Sequence, residues 1–245
     1  MHARSAVALT ASLIMLGAAP ALAADLPAIK AGNGNSVPEC VTPGRLMAMT
    51  KARNGSLDAR FASIAAEYMR HGEALEVRWD YAYFQMLLET GNLAFKRGNG
   101  RDGDVKLAQN NFAGLGATGK GEPGESFKNV STGVRAHLEH VLLYSGDPVA
   151  NPVAERTRKV QEWGILTSWQ KGLKGRVTFS DLARKWAPGD RSYSGNIASV
   201  AERFFDDHCK KPDPHPEMAH EVRGISVASK KNVGSKGAEI ARRAV

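Results

Sequence analysis

Aromatic residues are scarce, at 7% of the 245-residue chain, so its core must rest mainly on aliphatic side chains. Acid is short of base: 25 Asp and Glu stand against 33 Lys and Arg, for a net charge of +8. That balance favours anionic partners such as nucleic acid, acidic lipid or a carboxylate-bearing polymer. No stretch beyond the first residues is apolar enough to cross a membrane. There is no Gly-x-Ser-x-Gly elbow and no Gly-x-x-x-x-Gly-Lys phosphate loop. His137 and His140 lack a third ligand of suitable spacing, so they read as structural histidines, and neither a metal nor a cofactor is called for. What the chain does have is 42% hydrophobic and 24% charged residues, globular values that exclude wholesale disorder.

The start of the chain points to export. His2 and Arg4 precede the apolar run Ala6–Ala19, then Pro20 and an Ala-Leu-Ala end at Ala23. This is the pattern of a secretory signal over residues 1–23, too short and too interrupted for a lasting membrane anchor. The expected location is periplasmic or secreted, away from the cytoplasmic nucleic acid. In an oxidising compartment the two cysteines, Cys40 and Cys209, are best read as one disulfide, which removes Cys209 as a nucleophile.

Residues 24–39 are rich in Gly, Asn and Pro and read as an extended leader. Thr42 and Pro43 open a helix over Pro43–Arg53 as N-cap and first helical residue. Phe61, Ile64, Ala65 and Tyr68 keep a helical stripe within Ser56–Ala74. A third helix is expected from Asp80, as N-cap, to Gly91, as stop. Residues 96–126 are Gly-rich and polar, a long loop with room for a short hairpin. Helices resume over Thr132–Tyr144, Arg156–Trp163, Phe179–Trp186 and Gly195–His208. After Cys209 a Pro-rich linker leads into a basic tail to Val245, read as mobile. The expectation is a mainly α domain over 40–209.

Glu89 is the unusual carboxylate. It follows Phe84, Met86, Leu87 and Leu88 one turn from the helix end. Desolvation there would raise its pKa toward that of a general acid; an exposed or ion-paired Glu is the ordinary alternative. The stretch Tyr83-Phe-Gln-Met-Leu-Leu-Glu89-Thr-Gly-Asn resembles the catalytic helix of the bacterial glucosaminidases of glycoside hydrolase family 73. Asn111-Phe-Ala-Gly114-Leu resembles that family's Asn-Leu-Phe-Gly-Ile turn. Phe127-Lys-Asn-Val-Ser131 with Val134 and His137, and Leu182-Ala-Arg-Lys-Trp-Ala187 with Tyr193 and Ile197, resemble its later blocks, in order. Thr90-Gly91-Asn92-Leu93 departs from the family's Ser-Gly-Trp-Gly, and its flap is compressed to Ala117–Ser126.

The resemblance implies a lysozyme-like helical fold with a short β-hairpin flap and Glu89 as catalytic acid. It also implies a sugar contact from Tyr193 near the scissile bond, although a Tyr capping a helix is as ordinary. Asn111, Phe112 and Gly114 would line the substrate turn, with Phe112 equally suited to the core, and Trp186 reads more as core than as sugar platform. Glu125, placed where the flap rejoins the fold, is the first choice for a second carboxylate, ahead of Glu122 at the loop tip; solvated loop charge is the alternative for both. The expected function is an exported, monomeric peptidoglycan hydrolase that cleaves the β-1,4 bond after N-acetylglucosamine along glycan strands. The rival is a non-catalytic glycan-binding module, with transglycosylase, muramidase or amidase chemistry behind it.

Overall fold

The computed structural model describes residues 25–119 and 122–224, so the signal segment lies outside the described residues. The described chain is mainly helical, with nine α-helices and isolated β-bridges but no extended strand among the described residues. Helix α1 (Pro43–Arg53) begins where Thr42 accepts a hydrogen bond from the Arg45 amide. A single 3-10 turn at Ala59–Phe61 precedes α2 (Ile64–Leu75), so the expected Ser56–Ala74 helix starts later. The break follows from Asp58, whose side chain caps the short turn first.

Helix α3 (Trp79–Glu89) is almost wholly buried. Its N-cap is Arg78, not Asp80. Asp80 sits inside the first turn, fully buried, and accepts two bonds from the Arg78 guanidinium at 2.9 and 2.7 Å. A paired buried carboxylate overrides the cap preference that its sequence position suggested. Helix α4 (Val130–Tyr144) packs along α2 and touches α3. Its Gly133 leaves room for the Asn110 carbonyl, which an added Cβ would meet at 1.8 Å.

Four more helices follow: α5 (Glu155–Glu162), α6 (Thr167–Lys171), α7 (Phe179–Trp186) and α8 (Tyr193–Asp207). The short α6 had no counterpart in the sequence reading. Helix α8 lies against α3 and α7. The disulfide Cys40–Cys209 joins the entry to α1 with the end of α8, across a sequence separation of 169.

The leader and the segment after Cys209 pack more closely on the domain than expected. The leader is extended, but Leu26 and Ile29 are buried and Ala28 and Lys30 bridge to Thr178 and Val77. Beyond Cys209 the chain does not run free at once: α9 (Glu217–Val222) packs on α1 and α2 and buries Ala219. Arg223 adds a 3.1 Å bond to Glu73. Apolar side chains at Met218, Ala219 and Val222 give this segment a face to bury. The rest of the expected tail, 225–245, lies outside the described residues.

Candidate active site

Glu89 is the last residue of α3, and the backbone turns left-handed two residues after it. Gly91, Asn92 and Leu93 all have positive φ, at 57°, 60° and 64°. For Asn and Leu this conformation is strained and persists only where the surroundings hold it. Here the Thr90 hydroxyl accepts from the Leu93 amide at 2.9 Å while donating to the Met86 carbonyl at 2.8 Å. Asn54 donates to the Asn92 carbonyl at 3.0 Å, and Arg53 to its side chain at 2.6 Å. Gly91 is also required by space, since a Cβ there would lie 2.5 Å from the Lys96 carbonyl. The turn fixes the end of α3 and brings the Gly-rich segment back across Glu89.

The result is a cleft of about 480 Å³ with Glu89 in its wall. Trp186 from the end of α7 and Gly114 from the Asn111–Leu115 turn face the same space. So do Arg97 and Asp104, which form a 2.6 Å ion pair. A larger groove of about 650 Å³ lies between the leader and α2, away from Glu89.

Desolvation pushes the pKa of Glu89 up, and the neighbouring Tyr193 hydroxyl, followed by the Trp186 side chain, holds it back. The Tyr193 hydroxyl donates to Glu89 Oε1. Burial, followed by the Glu89 charge, pushes the Tyr193 pKa well up, so the phenol keeps its proton as donor. Behind these groups lies a packed layer of rings. Trp186 sits 5.5 Å from both His140 and Tyr144 and 6.2 Å from His137, centroid to centroid. Burial pushes both histidines down to about 3, so they are neutral rings at neutral pH. A carboxyl whose pKa is raised by burial beside an open polar cleft is suited to proton donation.

The structure therefore brings Glu89, Tyr193 and Gly114 to one place and takes three other sequence candidates elsewhere. Asn111 is fully buried and saturated: its amide donates to the carbonyls of Leu115 and Glu125 at 2.9 and 3.0 Å, and its oxygen accepts from Leu115 and Ala113. It shapes the turn that presents Gly114 and has no group left for a ligand. Phe112 is a core residue, edge-on to Phe61 at 5.8 Å. Glu125 caps α5, accepting from the amides of Glu155 and Arg156 at 2.8 and 2.7 Å. An acidic side chain at a helix N-terminus is bound by orphan amides and dipole alike, so both oxygens of Glu125 are engaged away from the cleft wall. Glu122 is exposed beside the Ala117–Pro123 bridge of the flap.

Trp186, read from the sequence as core, lines the cleft, and Arg97, Asp104 and the buried Gln85 had not been singled out. Trp186 is only part-buried and lines the cleft; its place as the last residue of an amphipathic helix was the available signal. Asp104 and Arg97 sit in the Gly-rich excursion, whose polar composition hid them. Gln85, a lone amide four residues before Glu89 in an apolar helix, was legible as an oddity and proves fully buried.

No family model matches the chain, and no solved structure matches it. An uncharacterized protein of Borreliella burgdorferi is 37% identical over 158 residues, spanning 63% of this chain and 69% of that protein.

Proposed function

The chain belongs to the family of this Borreliella burgdorferi protein, and we propose that it is an exported glycoside hydrolase acting on peptidoglycan, with Glu89 as general acid. The observation that carries the reading is Glu89 itself: a carboxyl with raised pKa, bonded by the Tyr193 hydroxyl, at the wall of an open cleft. Glycosidic cleavage needs such a group to protonate the departing oxygen. The order of sequence blocks resembling glucosaminidases supports cleavage after N-acetylglucosamine, and the positive charge suits a polymer whose peptides carry carboxylates.

On this reading the C–O bond breaks as the leaving oxygen takes the Glu89 proton, and water adds to the sugar carbon. Asp104, in the same cleft, takes the proton that the water gives up, with Arg97 fixing its orientation. The glycine at position 114 lets a sugar approach the backbone, since no atom stands within 4 Å of where a Cβ would be. The disulfide and the absence, among the described residues, of any helix able to cross a membrane agree with export.

Clearance of a cell-wall suspension tests the proposal. Glu89→Gln keeps size but cannot donate the proton, so lysis should fall by ~10²-fold or more while the melting temperature holds. Clearance at the wild-type rate by this variant would remove Glu89 from the mechanism. Tight binding of glycan by a wild-type protein that releases no product would favour the non-catalytic module.

A further inference from the structure

The end of α1 reaches the turn behind Glu89 without lining the cleft. Helix α1 stops at Arg53, with Asn54 as its C-cap. From there Arg53 Nε donates to Asn92 Oδ1 at 2.6 Å, and Asn54 Nδ2 donates to the Asn92 carbonyl at 3.0 Å. The Asn54 side chain is itself held, since its oxygen accepts from the Ser56 amide at 3.1 Å. Both oxygens of Asn92 are therefore bound by adjacent residues 39 and 38 positions earlier in the chain. Neither Arg53 nor Asn54 is among the residues that face the cleft.

What they hold is the least relaxed backbone near the acid. Asn92, Leu93 and Phe95 have φ of 60°, 64° and 54°. Asn tolerates this region, whereas Leu and Phe avoid it because Cβ crowds the carbonyl. Within the turn the Asn92 amide donates to the Leu87 carbonyl at 2.6 Å, and the Phe95 amide to the Thr90 carbonyl at 2.7 Å. Beyond it the Phe95 carbonyl accepts from the Gly103 amide at 2.9 Å, and the Arg97 amide donates to the Arg101 carbonyl at 2.7 Å. This short excursion carries Arg97 and Asp104 into the same cleft as Glu89. The turn thus sets the register between the carboxyl at the end of α3 and the Arg97–Asp104 pair. Helix α1 has anchors of its own, since it packs on α2 and α9 and is tied through Cys40 to the end of α8. The fold does not need the contact with Asn92 to keep α1 in place.

We propose that Arg53 and Asn54 are positioning residues: by gripping Asn92 they keep the left-handed turn closed and fix the Arg97–Asp104 pair at its working distance from Glu89. The role in turnover rests on Glu89 being the acid, whereas the grip on the turn is independent of any substrate. The separation matters because a proton donor and the group that relieves water of its proton must both reach one sugar carbon, and a misplacement of about 1 Å costs up to ~10²-fold in rate. Arg53 is also an odd residue for a purely structural bond to a neutral amide. It is part-buried, and burial, followed by the charge of Arg203, pushes its pKa down.

Amide hydrogen exchange of the full exported chain supplies a test that needs no activity. Arg53→Met keeps the aliphatic stem and removes the donor, and Asn54→Ala removes the bond to the Asn92 carbonyl. In each, the amides of Asn92, Leu93 and Phe95 should exchange on the order of tenfold faster, while those in the middle of α2 and α4 keep their wild-type rates. A variant that folds yet exchanges all three as the wild type does would refute the role of the residue changed. Arg53→Lys, which can still donate to Asn92, should restore slow exchange. In wall lysis Arg53→Met should lose on the order of tenfold in kcat with little change in KM, and Arg53→Lys should recover most of it; a loss confined to KM would overturn the positioning role. Asn92→Gly adopts the same φ without strain and keeps the carbonyl for Asn54, but offers Arg53 no acceptor. It should lose kcat as Arg53→Met does, which carries the test should Arg53→Met fail to fold. Adding Arg53→Met to Asn92→Gly should cost nothing further, and a second loss of about tenfold would show that Arg53 acts elsewhere. If the wild type lyses nothing while the exchange results hold, the reading of Glu89 as acid fails and the grip on the turn survives.

Discussion

Replacing Cys40 and Cys209 together by serine removes the cross-link between the entry to α1 and the end of α8 while changing two sulfurs to oxygens. The bridge spans 169 residues of sequence. Loop-closure entropy for that span comes to ~5 kcal/mol, a ceiling, since unfolded chains keep some structure and measured losses run from about 2 to 5 kcal/mol. For a domain of this size each kcal/mol moves the melting temperature by roughly 2–4 °C, which puts the expected fall at roughly 4–20 °C. Noncovalent contacts hold the same junction: Arg45 donates to the Cys40 carbonyl at 3.2 Å and to the Lys211 carbonyl at 2.9 Å. The ends should therefore stay docked at 25 °C, and because Tyr193 lies at the far end of α8 from Cys209, wall lysis at that temperature should remain within about twofold of the wild type. Melting followed by circular dichroism, with and without reductant, is the assay. A double variant that melts within about 1 °C of the oxidised wild type would refute the reasoning, as would two reactive thiols per chain in the denatured, unreduced exported protein.

Glu125→Gln should cost about 0.5–1 kcal/mol through the weakened cap on α5 and leave lysis near the wild-type rate; a loss comparable to that of Glu89→Gln would place Glu125 in the chemistry after all. Gly133→Ala drives a methyl into the Asn110 carbonyl, so urea unfolding should show a loss of about 3 kcal/mol or more, and an unchanged midpoint would mean that α4 lies farther from this turn. Asn111→Ala leaves buried backbone groups of the Leu115 turn unpaired, and should lower stability by about 2–3 kcal/mol together with activity. His137 and His140 supply an acid sensitivity. Their pKa values in the fold are about 3, against about 6.5 unfolded, so below about pH 6.5 the unfolded chain binds protons that the folded chain refuses. Stability should fall as pH drops from about 6.5 toward 3, with a slope of up to about 1.4 kcal/mol per unit for each ring, and be free of this effect above it. His140→Asn, which can keep the bond to Thr157, should flatten the slope of melting temperature between pH 7 and 5; an unchanged slope would assign it to other groups.

Local signals served well where one residue decides the backbone. Thr42 and Pro43 set the start of α1. Such signals failed where another group, near or far in sequence, overrides a local preference. Asp80 looks like a cap and is a buried ion-pair member because Arg78 reaches it. Glu125 looks like a free loop carboxylate, but the amides that bind it belong to a helix 30 residues on. Asn111 stands in a turn that resembles a substrate loop, and nothing local says that all its hydrogen bonds close inward. Glu89 was legible because an acid at the end of so apolar a helix contradicts the pattern around it. Tyr193 was placed near the site by its block, but its bond to Glu89 is a long-range contact between α3 and α8 that no spacing encodes.

Digestion of purified peptidoglycan, with mass spectrometry of the new chain ends, bears most directly on the central claim. The wild-type protein should release fragments ending in reducing N-acetylglucosamine, and Glu89→Gln should release ~10²-fold fewer. Reducing or anhydro muramic ends would contradict the bond assigned, and equal yields from the two proteins would contradict Glu89 as the acid.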